Sequence, residues 1–591
     1  MAAPTTLPSL SSSGTFHRLA SDEEQDAKAT TENFHAESWK DWPNEAGFEG
    51  LEEHRGPIDL KIVGQIPPWA AGSLYRTGPG QNAVDTDNGS THRVAHWFDG
   101  FAHMHKFDII PSSVPGDGNT TTVRYSSRLQ AETFVDDIKR RGWRSGISFG
   151  QRADPCVGIF SKFMSLFHPI QANNAVVIER NLPGPWSETS RAAQAGHRTG
   201  TGDLFVLTDN SLLHKVDPDT LEPLEFIATS KLHPSLRGPL ACAHPQRDPE
   251  SGDMFNYNLE FGSRPTYRIY RTNASTGNVD ILATLTVADL SPAYIHSMFL
   301  TKNYVVLCVP SSHFSLSGMK IPFVRNLVDG MAPFDKSKLT QWVVVDRRYG
   351  NGVVARFTTP AGFFFHSVNA FEETVVEDQE SQAEWVDLTF DYVGYESTAI
   401  IQGFYLDVIL DREEAARKYW VEGPEGSDLV PYLRRQRFRI PASPSSSGSS
   451  AQGLSSLPSA EEVFAIPAPH VGELPTINAL YATKPYRFVY SVSSRGLSTM
   501  MDCLVKTDVS SRAATIWAPP QSHTPGEAIF VPHPSATDED DGVLLSVVLD
   551  GTAQVSYLVC LDAKTMEEVG RAELEFPIGL GFHGIHAPVS V

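Results

Sequence analysis

Apolar positions along this chain come in short alternating runs, and the polar breaks between them recur in one form. Ala102-His103-Met104-His105-Lys106-Phe107 alternates as a strand does, just after the tight turn His96-Trp97-Phe98-Asp99-Gly100. An apolar strand running into a polar turn appears at Leu212 to Glu222 and again around Asn273, at Val343 to Gly350, at Leu504 to Ser510 and at Leu558 to Thr565. The turn residues Asp217, Asn273, Asp346, Asp508 and Asp562 are separated by 56, 73, 162 and 54 residues, and the third gap equals three steps of 54. A strand-rich unit returning every ~50 residues is the signature of a propeller blade. The pattern therefore predicts an all-β chain built as a β-propeller, with helical runs such as Asp411 to Tyr419 inserted on one face. A hairpin-rich sandwich does not repeat at this length.

Three stretches lack periodicity. Residues 1–45 are Ser/Thr-rich, then charged, and read as a disordered leader, so that residues 46–591 form a single catalytic domain. Residues 181–202 and the Ser-dominated 441–459 read as flexible insertions. The run Asp538-Glu539-Asp540-Asp541 lacks the spacing of a calcium loop and reads as a solvated turn.

Composition narrows the function. A net charge of −22 disfavours nucleic acid, which demands clustered Lys and Arg. The five cysteines, Cys156, Cys242, Cys308, Cys503 and Cys560, form no C-x-x-C pair and suit reduced thiols in a cytoplasmic setting. No apolar run reaches the roughly 20 residues that cross a bilayer, so the chain is expected to be soluble or to sit peripherally on a membrane.

The candidate chemistry lies in histidines that share a phase. Starting from the turns at Asp217, Asn273, Asp346 and Asp562, the chain reaches His244, His296, His366 and His583 after 27, 23, 20 and 21 residues. The same step from Asp508 lands on Glu527 after 19. Innermost propeller strands line the axis, so groups in phase converge there. Four imidazoles without thiolates suit iron, copper or zinc. Carboxylates then hold the second ring nitrogens, and Glu527, Glu473 and Asp209 are the candidates. His96, His103, His105, His470 and His586 fall out of phase and read as structural or surface residues.

These residues resemble the carotenoid cleavage oxygenase family. The resemblance runs from about Gly56 to Ser590 and rests on Gly72 to Gly80, His96 to Gly100, Ala243-His244-Pro245, Tyr294-Ile295-His296-Ser297, Phe365 to Glu372 and Phe582-His583-Gly584. It implies a seven-bladed β-propeller under a helical and loop dome, with one Fe(2+) held by His244, His296, His366 and His583. It also implies second-layer roles for Glu473 and Glu527, with Asp209 standing where the family usually has Glu, and places Thr208 near the open metal position. The implied reaction is cleavage of a conjugated double bond of a carotenoid by O2, as in fungal torulene- and β-carotene-cleaving members. An apolar tunnel lined by Phe363, Phe364 and similar residues would choose the bond. Stilbene cleavage, retinoid isomerohydrolysis and a non-enzymatic lipid-binding propeller are the alternatives; no obligate protein partner is implied. Cys156 and Phe160 to Phe167 resemble the membrane-docking segment of animal relatives, whose apolar residues would dip into a lipid interface.

Overall fold

The computed structural model describes residues 9–112, 121–152, 173–186, 198–286, 290–376, 384–423, 428–442 and 457–590. The expected membrane-docking segment at Cys156 and Phe160 to Phe167 lies outside these, as do the middles of both expected insertions. None of the described helices is long and apolar enough to cross a membrane.

The chain is all-β and arranged as a propeller. Successive antiparallel hairpins build five self-contained sheets of four or five strands. The first runs through Val177–Arg180, Leu204–Leu207, Leu212–Val216 and Pro223–Ala228. The second begins with the short Leu240–Ala241 and Gln246–Arg247 and continues through Met254–Glu260, Thr266–Thr272 and Val279–Leu285. The third comprises Phe299–Leu300, Tyr304–Val309, Thr340–Asp346 and Val353–Thr359, and the fourth Phe363–Val376, Glu384–Tyr395, Tyr432–Pro441 and Glu461–Pro467. The fifth comprises Glu473–Thr476, Phe488–Ser493, Cys503–Asp508 and Ala514–Ala518, with Gly14–Arg18 added at its outer edge. Five such blades stand where the family resemblance implied seven. Ala83–Asp85 and Thr91–Arg93 pair as a two-stranded ribbon, and the remaining strands form one ten-stranded sheet, joined through Ile58–Gly64. That strand pairs with Thr121–Leu129 over Ile58 to Leu60 and with Glu568–Glu573 over Lys61 to Gly64. The last strand, Gly584–Pro588, pairs with Gly72–Pro79, so the end of the chain is stitched to its beginning.

The leader expected over residues 1–45 is corrected. From Ser9 onward it docks on the fifth sheet: Gly14–Arg18 pairs in register with Ala514–Ala518, and a helix follows over Glu23–His35. Its anchors are backbone ladders and buried polar pairs, including Arg18 with Asp26 at 2.8 Å and Arg495 donating to the carbonyls of Leu10 and Ser12. Leu10 and Phe16 add apolar contacts with Val505 and Ile516, but two isolated apolar residues make no stripe in the sequence, which is why hydropathy did not reveal the docking.

The sheets are glued face to face by apolar clusters. Between the third and fourth, Trp342 is fully buried, stacks on Phe357 at 5.4 Å and donates to Thr359 at 3.0 Å. Truncating such a side chain to Ala costs about 3–5 kcal/mol. Helical pieces are inserted between strands: Glu132–Arg141, Ile321–Val324, Leu327–Gly330, Ile400–Gly403, Leu406–Ile409 and Ala415–Trp420. Phe134, Ile321, Leu327 and Phe404 from these insertions wall a cavity of about 450 Å³ that ends on the histidines.

Candidate metal centre

The four in-phase histidines meet. His244 follows the first strand of the second sheet and His296 precedes the first strand of the third. His366 lies within the first strand of the fourth sheet, and His583 precedes the strand that closes the ring. One ligating atom from each lies within 4.8 Å of the others. Ring centroids are 4.4 Å apart for His244–His583, 4.8 Å for His244–His296 and 4.9 Å for His366–His583.

Local backbone chemistry aims each ring. Cys242 donates its thiol hydrogen to the carbonyls of His296 at 2.9 Å and His244 at 3.2 Å, tying those two segments together. A β-bulge between Phe364 and Ser367 breaks strand alternation, so both Phe365 and His366 face the cavity. His583 is braced by Gly72–Pro79, with Thr77 donating to the His583 carbonyl at 2.9 Å. Gly78 permits this approach: a Cβ there would sit 2.4 Å from the Gly581 Cα.

Carboxylates fix three tautomers. His366 Nδ1 lies 2.6 Å from Glu473 Oε2, and His583 Nδ1 lies 2.7 Å from Glu527 Oε1. His296 Nδ1 lies 2.9 and 3.0 Å from the two oxygens of Asp209, so the aspartate reaches its histidine directly. Each Nδ1 hydrogen points at a carboxylate, which leaves every Nε2 as an inward lone pair. The consequence is sharpest where His366 Nε2 and His583 Nε2 face each other at 3.1 Å. Two lone pairs cannot hydrogen-bond each other. His244 Nε2 is also buried without a hydrogen-bond partner among the described residues. A cation is what this set of acceptors fits.

Electrostatics agree. Burial, reinforced by the other three imidazoles, holds His244 well below its ordinary pKa. Burial lowers His366 to about 4, against the opposing pull of Glu473. Both rings are therefore neutral near pH 7 and able to ligate.

Every candidate carboxylate falls behind a histidine, and Thr208 lines the cavity beside them. The out-of-phase histidines lie elsewhere: His105 with the Tyr125 hydroxyl, His470 with Asp26, and His96 and His586 with the carbonyls of Ile401 and Ala70. The tunnel residues need correction. Phe364 is packed between sheets against Phe299 and Tyr392, and Phe363 lies behind Phe365 at 4.7 Å. Phe365 is the member of that run which reaches the cavity, because the bulge turns it inward. The carboxylates have supports that sequence reasoning missed. Tyr395 donates to Glu473 at 2.7 Å, Tyr294 donates to Asp209 at 2.8 Å, and Arg76 reaches Glu527 at 3.2 Å. Tyr294 stands two residues before His296, a spacing that could have flagged it; Tyr395 carried no comparable signal. A second cavity, of about 310 Å³, shares Phe404, Glu473, Val492, Met500 and Met501 with the first and is walled by Phe34 and Trp420.

A family model described as "Retinal pigment epithelial membrane protein" matches residues 47–588. The chain is 51% identical over 587 residues to the torulene dioxygenase of Fusarium fujikuroi, covering 98% of this chain and all of that protein. It is 48% identical to the carotenoid dioxygenase of Neurospora crassa, over 97% and 96% of the two chains. Among solved structures it is similar to cobalt-substituted apocarotenoid oxygenase of Synechocystis, at a TM-score of 0.64 and 21% identity over 93% and 99% of the chains. With this match, the shared fold and the gathered histidines, the chain belongs to the carotenoid cleavage oxygenase family, that of the retinal pigment epithelial membrane protein.

Proposed function

We propose that this chain is an Fe(II)-dependent dioxygenase that uses O2 to cleave one conjugated double bond of a torulene- or β-carotene-type carotenoid into two apocarotenoid aldehydes. The observation that carries the reading is the set of inward nitrogen lone pairs at the end of an aromatic-walled cavity. Four neutral nitrogens with no thiolate suit a borderline ion such as Fe(II), and His244, His296, His366 and His583 would hold it. When bound, iron supplies the activation of O2. Asp209, Glu473 and Glu527 keep the rings in the ligating tautomer. Phe98, Phe149, Phe365, Phe404 and Phe582 offer flat faces to a conjugated chain, keep water from it and set which bond reaches the centre. Thr208, which lines the cavity, would border the position left to the reacting groups. The names of the fungal relatives support the substrate class. We read the ten-stranded sheet as two blades sharing Ile58–Gly64, which brings the count to seven. Four buried free cysteines fit a reducing, cytoplasmic setting.

The test is product analysis in cells that accumulate torulene, β-carotene or lycopene. A defined aldehyde pair from one of them is expected, with its masses giving the bond. No aldehyde from any of the three, with metal bound and the chain folded, would overturn the carotenoid assignment. A phenolic aldehyde from a stilbene, or oxygen-independent turnover of a retinyl ester, would place the chain with those members instead.

A further inference from the structure

The three carboxylates behind the histidines are not equivalent. Glu473 gives one oxygen to His366 and the other to the Tyr395 hydroxyl, at 2.6 and 2.7 Å. Glu527 gives one oxygen to His583 at 2.7 Å and the other to the Gly584 amide and Arg76. Asp209 divides no such labour. His296 Nδ1 straddles both of its oxygens, at 2.9 and 3.0 Å, and the Tyr294 hydroxyl donates to Oδ2 at 2.8 Å while lying 3.1 Å from His296 Nδ1. The Ala243 amide reaches Oδ1 at 3.3 Å. Tyr294 is 1% exposed and held edge-on by Phe149 at 5.3 Å, so its hydroxyl has little freedom to leave. The hydroxyl therefore occupies space beside a side chain one methylene shorter than its two counterparts.

We propose that Tyr294 is a positioning residue for the metal centre: its hydroxyl clamps the short carboxylate of Asp209 so that His296 is aimed as firmly as its neighbours. The proposal rests on the reading of His296 as a metal ligand. It treats the Asp209–Tyr294 pair as one device that a longer acid without the hydroxyl could replace. Two substitutions that each damage the centre should then compensate when combined.

The readouts are metal retention and the electronic spectrum of the Co(II)-loaded protein, neither of which requires turnover. Full-length chain is loaded with Co(II), challenged with a chelator, and followed by metal analysis. Tyr294→Phe is expected to weaken metal affinity about 10–100-fold, the range for losing an outer partner of a ligand, and to alter the Co(II) bands. Asp209→Glu alone is expected to do the same, because the added methylene meets the Tyr294 hydroxyl. D209E/Y294F is expected to recover to within about threefold of the parent, a rescue that merely lost packing would not give. Tyr490→Phe removes a buried hydroxyl bonded to the Ala563 carbonyl, away from the centre, and should change nothing. Unfolding of the metal-free forms confirms that each variant folds; should Tyr294→Phe not fold, Asp209→Glu and the double variant carry the comparison. Full retention in Tyr294→Phe, or no recovery in the double variant, overturns the proposal. His296→Ala separates the two levels: if it keeps metal like the parent, the ligand reading itself fails, whereas loss of metal there with an unaffected Tyr294→Phe refutes the clamp alone.

Discussion

Among the described residues two clusters gather enough ligating side chains to hold a cation, and they differ in what is left over. Asp538, Asp540 and Asp541 form one; the four histidines form the other. In the acidic cluster the protein already engages every carboxylate. Lys564 binds Asp538 at 2.7 Å and Asp541 at 3.3 Å, Lys506 binds Asp540 at 2.5 Å, and the amides of Thr537 and Asp538 donate to Asp541. In the histidine cluster the partners sit behind the rings and the forward nitrogens have none but each other. Proximity of donors is thus a poor guide to a metal site. The useful question is which lone pairs the protein itself cannot satisfy in a place water does not reach.

The largest effect that separates the clusters is loss of a ligand. His366→Ala is expected to abolish metal binding and, with it, carotenoid cleavage, while Asp541→Ala leaves both at parental level. Metal analysis and product yield, measured side by side, check this. Cleavage by a His366→Ala protein that still binds iron would erase the distinction.

Acid should next separate the acidic turn from the buried histidines outside the metal centre, by the pH window in which stability is lost. Burial holds His96, His214 and His586 down to about 4 and His103 to about 3. In the unfolded chain each protonates near 6.5. Between those values the unfolded chain binds the protons, so stability rises with pH and falls as pH drops from 6.5 towards 4. Each pH step there costs up to about 1.4 kcal/mol per histidine, several kcal/mol in sum. Asp541 loses stability in the same direction but in a lower window: hydrogen bonds from the amides of Asp538 and Thr537 hold its carboxyl below the ordinary range, so its contribution is intact above about pH 4 and is lost only as pH falls below that. Thermal unfolding of the metal-free chain should therefore fall steeply between pH 6.5 and 4; a flat profile there would show that the buried histidines are not the acid-sensitive element.

The phase of the histidines was legible because propeller strands repeat, and repetition is a property of sequence. His244, His296, His366 and His583 could be picked out of twenty by their distance from a turn. Their carboxylates were legible as types at strand ends. What escaped depends on three-dimensional placement with no periodic trace. The bulge at Phe365-His366 decides which phenylalanine faces the cavity, and the expectation that named Phe363 and Phe364 had no way to see it. Docking of Gly14–Arg18 uses backbone hydrogen bonds, which any sequence can make. Tyr395 and Arg76 reach the site from far away in the chain, and nothing local marks them.

Smaller still is the effect of removing a proton's partner behind a ligand. Glu473→Gln keeps the shape but weakens the hold on His366 Nδ1, and metal affinity should fall about 10–100-fold. Chelator competition measures it, and an unchanged affinity would mean that the inward lone pair of His366 does not depend on Glu473.

The smallest effect is expected at the other cluster, and it is the one that tests the principle. Lys564→Ala strips the cation that spans Asp538 and Asp541 and leaves those two carboxylates without it, beside an Asp540 that stays buried on Lys506. If gathered acids alone made a metal site, this variant should gain a bound divalent ion. Water already satisfies oxygens at an exposed turn, and the backbone amides still hold Asp541. Metal content, thermal unfolding and cleavage should all stay at parental values. A newly acquired, stoichiometric cation would show that Lys564, rather than exposure to water, is what keeps this cluster empty of chemistry.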